Sequence, residues 1–255
     1  MIRGIRSPFP ATDPYANALK MALLGRILLP AIIAGLVVGA FLTGLQHIEV
    51  IPLIYEAETF EYQASSSHTH DADEVENWAP DDGLERTAYT LLANIIATIG
   101  FGLLLSVAFV VLVAKGHAVA WHAGLLWGLA GFAIFNFAPA LGLPPELPGS
   151  ESAVLEGRQG WWILTVFLTA LGLGLIAFTR PLYLRALGGV ALIIPHLIGA
   201  PAPDHHGSLA PEEIAERFVY ASLATSAAFW LALGPLTAFL HRRIGGGDHS
   251  RFLVA

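Results

Sequence analysis

Ten histidines are spread over 255 residues, and they are the side chains in this sequence best suited to chemistry. Neutral imidazole is the commonest side-chain metal ligand, and a nearby carboxylate supplies the charge a divalent cation needs. His68-Thr69-His70-Asp71 sets two imidazoles and a carboxylate almost side by side, and His205-His206 follows Asp204. Glu56, Glu58 and His47 precede the first cluster, and His196 lies near the end of an apolar stretch. Either cluster alone is also what a solvated, acidic loop looks like, because short His tracts are compositional signals. Two clusters on one side of the chain, with His196 between them, point to capture of a divalent metal. The chain has no Cys and only 2 Met. That excludes a soft Cu(I) pathway and leaves Co²⁺, Ni²⁺, Zn²⁺ or Mn²⁺. It also excludes a disulfide framework and thiolate catalysis. There is no Ser-His-Asp arrangement, His-Glu-x-x-His motif, phosphate loop or dinucleotide fingerprint, so an enzyme is the weakest reading. The metal would be cargo, and no organic cofactor is implied.

The elements that must position these residues are membrane helices. The chain is 55% hydrophobic and 13% charged, against about 25% charged in soluble domains. Apolar runs cover Ile27–Leu45, Tyr89–Val113, Val119–Leu141, Trp161–Phe178, Ala186–Ala200 and Phe218–Leu240. A helix needs about 20 apolar residues to cross hydrocarbon. Trp161–Phe178 and Ala186–Ala200 are short. Read as one re-entrant hairpin they would give five spans, with Arg180 and Arg185 stranded at membrane depth. Two short or tilted spans are less costly. The expected fold is therefore an all-α polytopic bundle of six transmembrane helices, with both termini cytoplasmic. The expected organisation is an N-terminal tail over 1–26, one membrane domain over 27–240 and a C-terminal tail over 241–255.

Charge sets the orientation. Alternate threading puts Arg3, Arg6, Lys20, Arg26, Lys115, Arg180, Arg185, Arg242, Arg243 and Arg251 inside, and only Arg86, Arg158 and Arg217 outside. Of 20 acidic residues, only Asp13 and Asp248 fall inside. Lys and Arg resist translocation, so this separation assigns the sides. The formal charge of −7 is thus concentrated outside, where it attracts cations and repels nucleic acid. The first apolar run is longer than a signal-peptide core, which reads as an uncleaved span. These features place the chain in a membrane as a multi-pass protein, with lipid around it.

The longest outer connection, Gln46–Thr87, begins with an apolar stretch at Ile48–Tyr55 suited to the interface. It ends where Asp82 and Glu85 have capping-box spacing. Gly142–Gly160 is rich in Pro and Gly. Pro211 opens a helical turn before the last span. Within the spans, Gln46, His47, Asn94, Thr98, Asn136, Thr165, His196, Thr225 and Ser226 all fall in the outer half. The inner half offers little beyond Ser106. Their shared depth predicts a vestibule that opens outward and closes at mid-membrane, with Asn94 and Asn136 among its polar groups. Gly35/Gly39 and Gly124/Gly128 have the spacing that lets helices approach closely, as packing within the bundle. No internal repeat supports a transporter built of inverted halves.

Several longer patterns resemble the CbtA-type proteins, a family of proposed cobalt transporter subunits. They are Val50-Ile-Pro52-Leu-Ile with Glu56-Ala-Glu58; His68-Thr-His70; Trp78-Ala-Pro80-Asp-Asp82-Gly-Leu-Glu85-Arg86-Thr87; Ala138-Pro139 through Pro144-Pro-Glu-Leu-Pro148-Gly149; Arg158-Gln-Gly-Trp161-Trp162; and Pro195-His196-Leu-Ile-Gly199-Ala-Pro201. The resemblance covers residues 25–240, and the first twenty or so residues extend beyond it. It implies cobalt uptake linked to cobalamin synthesis in a bacterial inner (plasma) membrane, and a small single-span partner of the CbtB type. The leading reading is a membrane subunit of a divalent-metal uptake system. It would capture its cargo through His68, His70, Asp71, His196, Glu56, Glu58, His47, His205 and His206. The alternative is a structural or assembly subunit of a larger membrane complex with no metal transport of its own.

Overall fold

The computed structural model describes residues 14–67, 80–203 and 207–245. Those residues form an antiparallel helical bundle. Helix α1 (Pro14–Glu49) rises to α2 (Ile51–Ser67), which lies across one end. Next come α3 (Leu84–Ala114), α4 (Trp121–Phe132), a π-helical turn (Ala133–Phe137) and the single turn α5 (Ala138–Ala140). Helices α6 (Leu155–Phe178), α7 (Leu182–Ile198) and α8 (Glu212–Gly245) complete the chain. Five segments are long and apolar enough to cross a membrane: Leu24–Glu49, Leu84–Ala114, Trp121–Ala140, Leu155–Phe178 and Glu212–Ile244. The protein is a multi-pass membrane protein. Its lipid-facing side chains fit this. Val37, Ile96, Leu104, Leu126, Ile163, Phe167 and Ile193 are each more than half exposed, a belt no soluble monomer would show.

Helix α7 has 17 residues, about 25 Å at 1.5 Å per residue, against a hydrocarbon core of about 30 Å. It returns antiparallel along α6. A Cβ at Gly172 would lie 2.7 Å from the Gly188 carbonyl oxygen, and the reciprocal distance is the same. At the far end the Trp161 indole N–H donates to the Pro195 carbonyl at 3.1 Å. The hairpin therefore runs nearly the depth of α6, although α7 alone is shorter than a standard span.

Glycine decides where helices touch. Gly35 and Gly39 of α1 receive Ile99 and Ile95 of α3, and Gly124 and Gly128 of α4 receive the backbone of Trp230, Gly234 and Pro235 on α8. Without a hydrophobic force between helices in lipid, this close backbone contact supplies the association energy. Both small-residue pairs thus serve packing within the bundle. The core between α1, α3, α4 and α8 centres on Val38, Leu105, Phe109, Phe229, Trp230 and Leu233. Phe135 and Trp230 stack at 5.7 Å with rings 8° apart.

A second apolar cluster caps the loop end. Val50, in the turn before α2, and Leu53 and Ala57 of α2 pack on Leu147, Ala210, Ile214 and Phe218. Of the stretch Ile48–Tyr55, Val50 and Leu53 are buried in this cluster, whereas Ile48, Pro52 and Tyr55 stay exposed. The two other connections at this end are stitched together. Glu151 N–H donates to the Gly207 carbonyl at 2.9 Å, and Leu209 N–H donates to the Gly149 carbonyl at 3.3 Å. The capping box does not form. Gly83 precedes the first turn of α3 without a side-chain cap, and Asp82 instead accepts from Arg86 at 3.0 Å.

Candidate functional site

The loop end carries three polar constructions. The first joins α2 to α3. Arg86 grips Glu58 with both terminal nitrogens, at 2.6 and 3.2 Å, while the Tyr55 ring lies 4.9 Å beneath the guanidinium. Arg86 sits on the first turn of α3, and Glu58 one helical turn after Tyr55 on α2. The fork geometry suits a carboxylate, and the stacked ring holds the guanidinium plane. Glu58 is thus engaged in holding α2 on the bundle. Glu56 is exposed on the same helix. Arg86→Gln is expected to lower thermal stability in detergent by about 1–2 kcal/mol, the range of a charge-assisted, partly buried pair. Glu58→Gln should cost a similar amount, and the double variant little more. Additive losses in a thermal-melt cycle would mean that the two residues act separately.

The second construction lies in the α1–α3 seam. Asn94 donates to Gln46 Oε1 at 2.7 Å and to Thr43 Oγ1 at 3.0 Å. Thr43 donates on to the Gly39 carbonyl at 2.9 Å, and Thr98 to the Asn94 carbonyl at 2.5 Å. These groups satisfy one another and bind α1 to α3.

The third is a cavity of about 680 Å³ between the α4–α5 region, α6 and α8, lined by Asn136, Pro139, Glu146, Arg158, Trp162 and Ser226 among others. Its wall is the π-helical turn. Pro139 has no N–H for the Phe135 carbonyl, so the preceding turn widens, and Ala138 N–H reaches back five residues to Ala133. The widened turn carries Asn136, whose Oδ1 accepts from the Trp230 indole at 2.8 Å. At the rim Arg158 and Ser152 both donate to Glu146 Oε2, at 2.7 and 2.6 Å. Of the two asparagines expected in a vestibule, Asn136 lines this cavity, whereas Asn94 belongs to the α1–α3 seam.

Among the residues expected to bind metal, His68, His70, Asp71, His205 and His206 lie outside the described residues. His47 is exposed on the last turn of α1. His196 is half-buried near the end of α7, with its ring 5.9 Å from that of Trp161. Among the described residues no group of three or more His, Asp or Glu side chains could hold an ion. The structure therefore does not bring His47, Glu56, Glu58 and His196 together into a site of their own.

Two carboxylates at the stitched loops were not singled out by sequence. A Cβ at Gly149 would lie 2.9 Å from Glu61 Oε1, and one at Gly207 would lie 3.5 Å from the Glu151 carboxyl carbon. Gly207 directly follows His206, and Glu61 lies six residues before Ser67, where α2 leads into His68. Nothing in their local sequence marks them, because contacts of one loop with α2 and of two loops with each other create the proximity. The inner end also differs from expectation. Helix α8 continues to Gly245, so His241 is buried in the bundle, as are Thr237 and Ser106. Pro30 leaves the Arg26 carbonyl without a helical donor, and the His241 imidazole bonds to the Arg26 backbone. The half of the bundle away from the loops thus holds buried Ser106, Thr237 and His241.

Comparison with curated proteins and with solved structures finds no match. A family model described as "Probable cobalt transporter subunit (CbtA)" matches residues 24–242, from the start of the first apolar span to the last turns of α8. With most of its length covered, including α2, the π-helical turn and the α6–α7 hairpin, the chain belongs to the CbtA family.

Proposed function

We propose that this protein is the membrane subunit of a divalent-metal uptake system, with cobalt as cargo, in a bacterial inner membrane. In this reading the loop end faces outward and captures the cation. α7 completes a six-span bundle with both termini in the cytoplasm. The observation that carries the proposal is the convergence at the loop end. Helix α2 leads into His68-Thr-His70-Asp71 from beside Glu61, and the chain leaving His205-His206 is bonded at Gly207 to Glu151. The ligands would be His68, His70 and Asp71, with His205, His206, His196, His47 or Glu56 in support. Glu58 holds α2 in place. The cavity at Asn136, whose lining reaches Glu146 next to Leu147 of the cap, would be the vestibule into which a captured ion passes. A non-enzymatic role, a link to cobalamin synthesis and a small CbtB-like single-span partner are parts of the same proposal.

The test is calorimetry with Co²⁺ on protein that has never met a nickel column. Saturable binding is expected. Paired His68→Ala and His70→Ala substitutions should weaken it by about 100-fold, since even indirect ligand partners are worth 10–100-fold. Ligating imidazole must be neutral, so binding should also fall below pH about 6.5. Unchanged affinity in the double variant would remove this cluster from the site. Absence of binding altogether would favour a structural subunit whose acidic loops grip a partner complex.

The orientation has its own test. Ser66→Cys should react with a membrane-impermeant maleimide on intact cells, because its helix belongs to the acidic end. Labelling only after lysis would invert the topology.

A further inference from the structure

The opposite end of the bundle carries a cleft that the metal reading leaves unused. It has a volume of about 750 Å³ and lies between the end of α3 and the α6–α7 hairpin. Lys115, His117, Arg180 and Arg185 line it, and among the described residues no acidic one does. Its other walls are apolar and include Val111, Leu112, Trp127 and Phe178. The backbone turns back at Gly116, with φ 81°, which brings Lys115 and His117 to the same opening. Arg185 is oriented by its own helix hairpin. Its Nε donates to the Ile176 carbonyl at 3.1 Å, and its two terminal nitrogens have no partner among the described residues. Lys115 and Arg180 likewise make no ion pair there.

A second, almost wholly apolar cavity of about 420 Å³ continues from the first. It shares Ala108 and Trp127 with it and climbs between α3 and α6 past Leu104, Val166 and Phe167. The two together form one slot, cationic at its base and apolar along its length. A free anion would need only the base. A slot that continues into hydrocarbon-lined space fits a molecule with an anionic head and a long apolar tail. Clustered Lys and Arg between membrane helices recognise phosphate head groups, with Arg supplying paired donors.

We infer that this slot binds an anionic phospholipid, its phosphate among Lys115, Arg180 and Arg185 and an acyl chain lying between α3 and α6. The lipid fills the gap that the bundle leaves between α3 and the α6–α7 hairpin and so ties the hairpin to the rest of the protein.

The experiment is native mass spectrometry and thermal unfolding of the full chain, delipidated in detergent. It is titrated separately with phosphatidylglycerol, phosphatidylcholine of the same chains and inorganic phosphate. Phosphatidylglycerol is expected to give a retained one-to-one adduct and to raise the melting temperature, whereas the other two should do neither. Lys115→Gln with Arg180→Gln should weaken phosphatidylglycerol about thirty-fold, from roughly tenfold or less for each charge. Lys115→Arg with Arg180→Lys keeps both charges and should bind as the parent does, which separates loss of charge from loss of folding. Ala108→Phe, which obstructs the apolar channel and keeps every cation, should also abolish the adduct. Equal binding of phosphatidylcholine would overturn the role of the cations. Competition by inorganic phosphate at similar concentration would make this a simple anion site. Full binding by Ala108→Phe would show that the lipid lies on the surface and not in the slot.

Discussion

Proteoliposomes containing this chain alone are expected to bind Co²⁺ and not to accumulate it. The cavity at Asn136 gives way inward to apolar walls: Phe135, Trp162 and Ile163 line both it and the almost wholly apolar cavity next to it. In the α1–α3–α8 seam, the outer group of Asn94, Gln46 and Thr98 is separated from Ser106, Thr237 and His241 by the packed cluster of Val38, Leu105, Phe229 and Leu233. A divalent ion stripped of water on apolar walls faces a Born penalty of order 20 kcal/mol or more. The hydroxyls of Ser106 and Thr237 and one imidazole do not offset that. A conduction path would need a second subunit, or an oligomeric interface where polar backbone lines a cavity. The measurement is metal entry into vesicles holding a trapped fluorescent indicator, with and without a CbtB-like partner. Rapid, saturable entry with this protein alone, lost in His196→Ala, would reveal a path through the single chain.

Gly234→Val is expected to abolish the folded bundle. A Cβ at Gly234 would lie 2.1 Å from the Gly124 carbonyl oxygen and 2.8 Å from the Gly128 nitrogen. Both are backbone atoms of another helix, so no side chain can swing aside, and α4 and α8 must separate along their contact. Overpacking of a yielding core costs about 1–3 kcal/mol. An unyielding helix–helix contact costs more, enough to exceed the stability margin of a marginally stable protein. The signs would be loss of the monodisperse peak in size exclusion and of a cooperative melt. Gly100→Ala provides the control. Its Cβ meets nothing within 4 Å, and alanine is the better helix former by about 1 kcal/mol. A Gly234→Val protein that melts like the parent would show that the contact of α4 with α8 does not depend on these glycines.

Much of the architecture could be read from spacing because the bilayer imposes it. Apolar runs of span length must be helices, their alternation forces antiparallel neighbours, and the uneven placement of Arg and Lys distinguishes the two ends. The long composite patterns around Trp78–Thr87, Ala138–Gly149 and Pro195–Pro201 already pointed to the CbtA family, and the family match over residues 24–242 agrees. Gly35/Gly39 and Gly124/Gly128 were legible as packing positions, since only glycine allows such close approach.

The partners of the side chains were not legible. Glu58 looked available as a ligand, yet Arg86, 28 positions away, engages both its oxygens. Asp82 had the spacing of a cap and serves the same arginine. Asn94 and Asn136 share a depth, but they point into different environments, because one sits in a helix seam and the other on a π-helical turn shaped by Pro139. His241 read as part of a polar tail and is buried, because α8 continues and Pro30 on α1 frees a carbonyl for it. What the sequence determined by itself was everything the membrane demands of a chain crossing it: helices, their number to within the short α7, their alternation and their charge bias. Only the tertiary structure decided which polar groups neutralise one another and where the helices leave gaps. The physical reason is that a hydrogen bond or a cavity depends on atoms brought within a few ångströms by packing, between residues whose separation along the chain carries no signal.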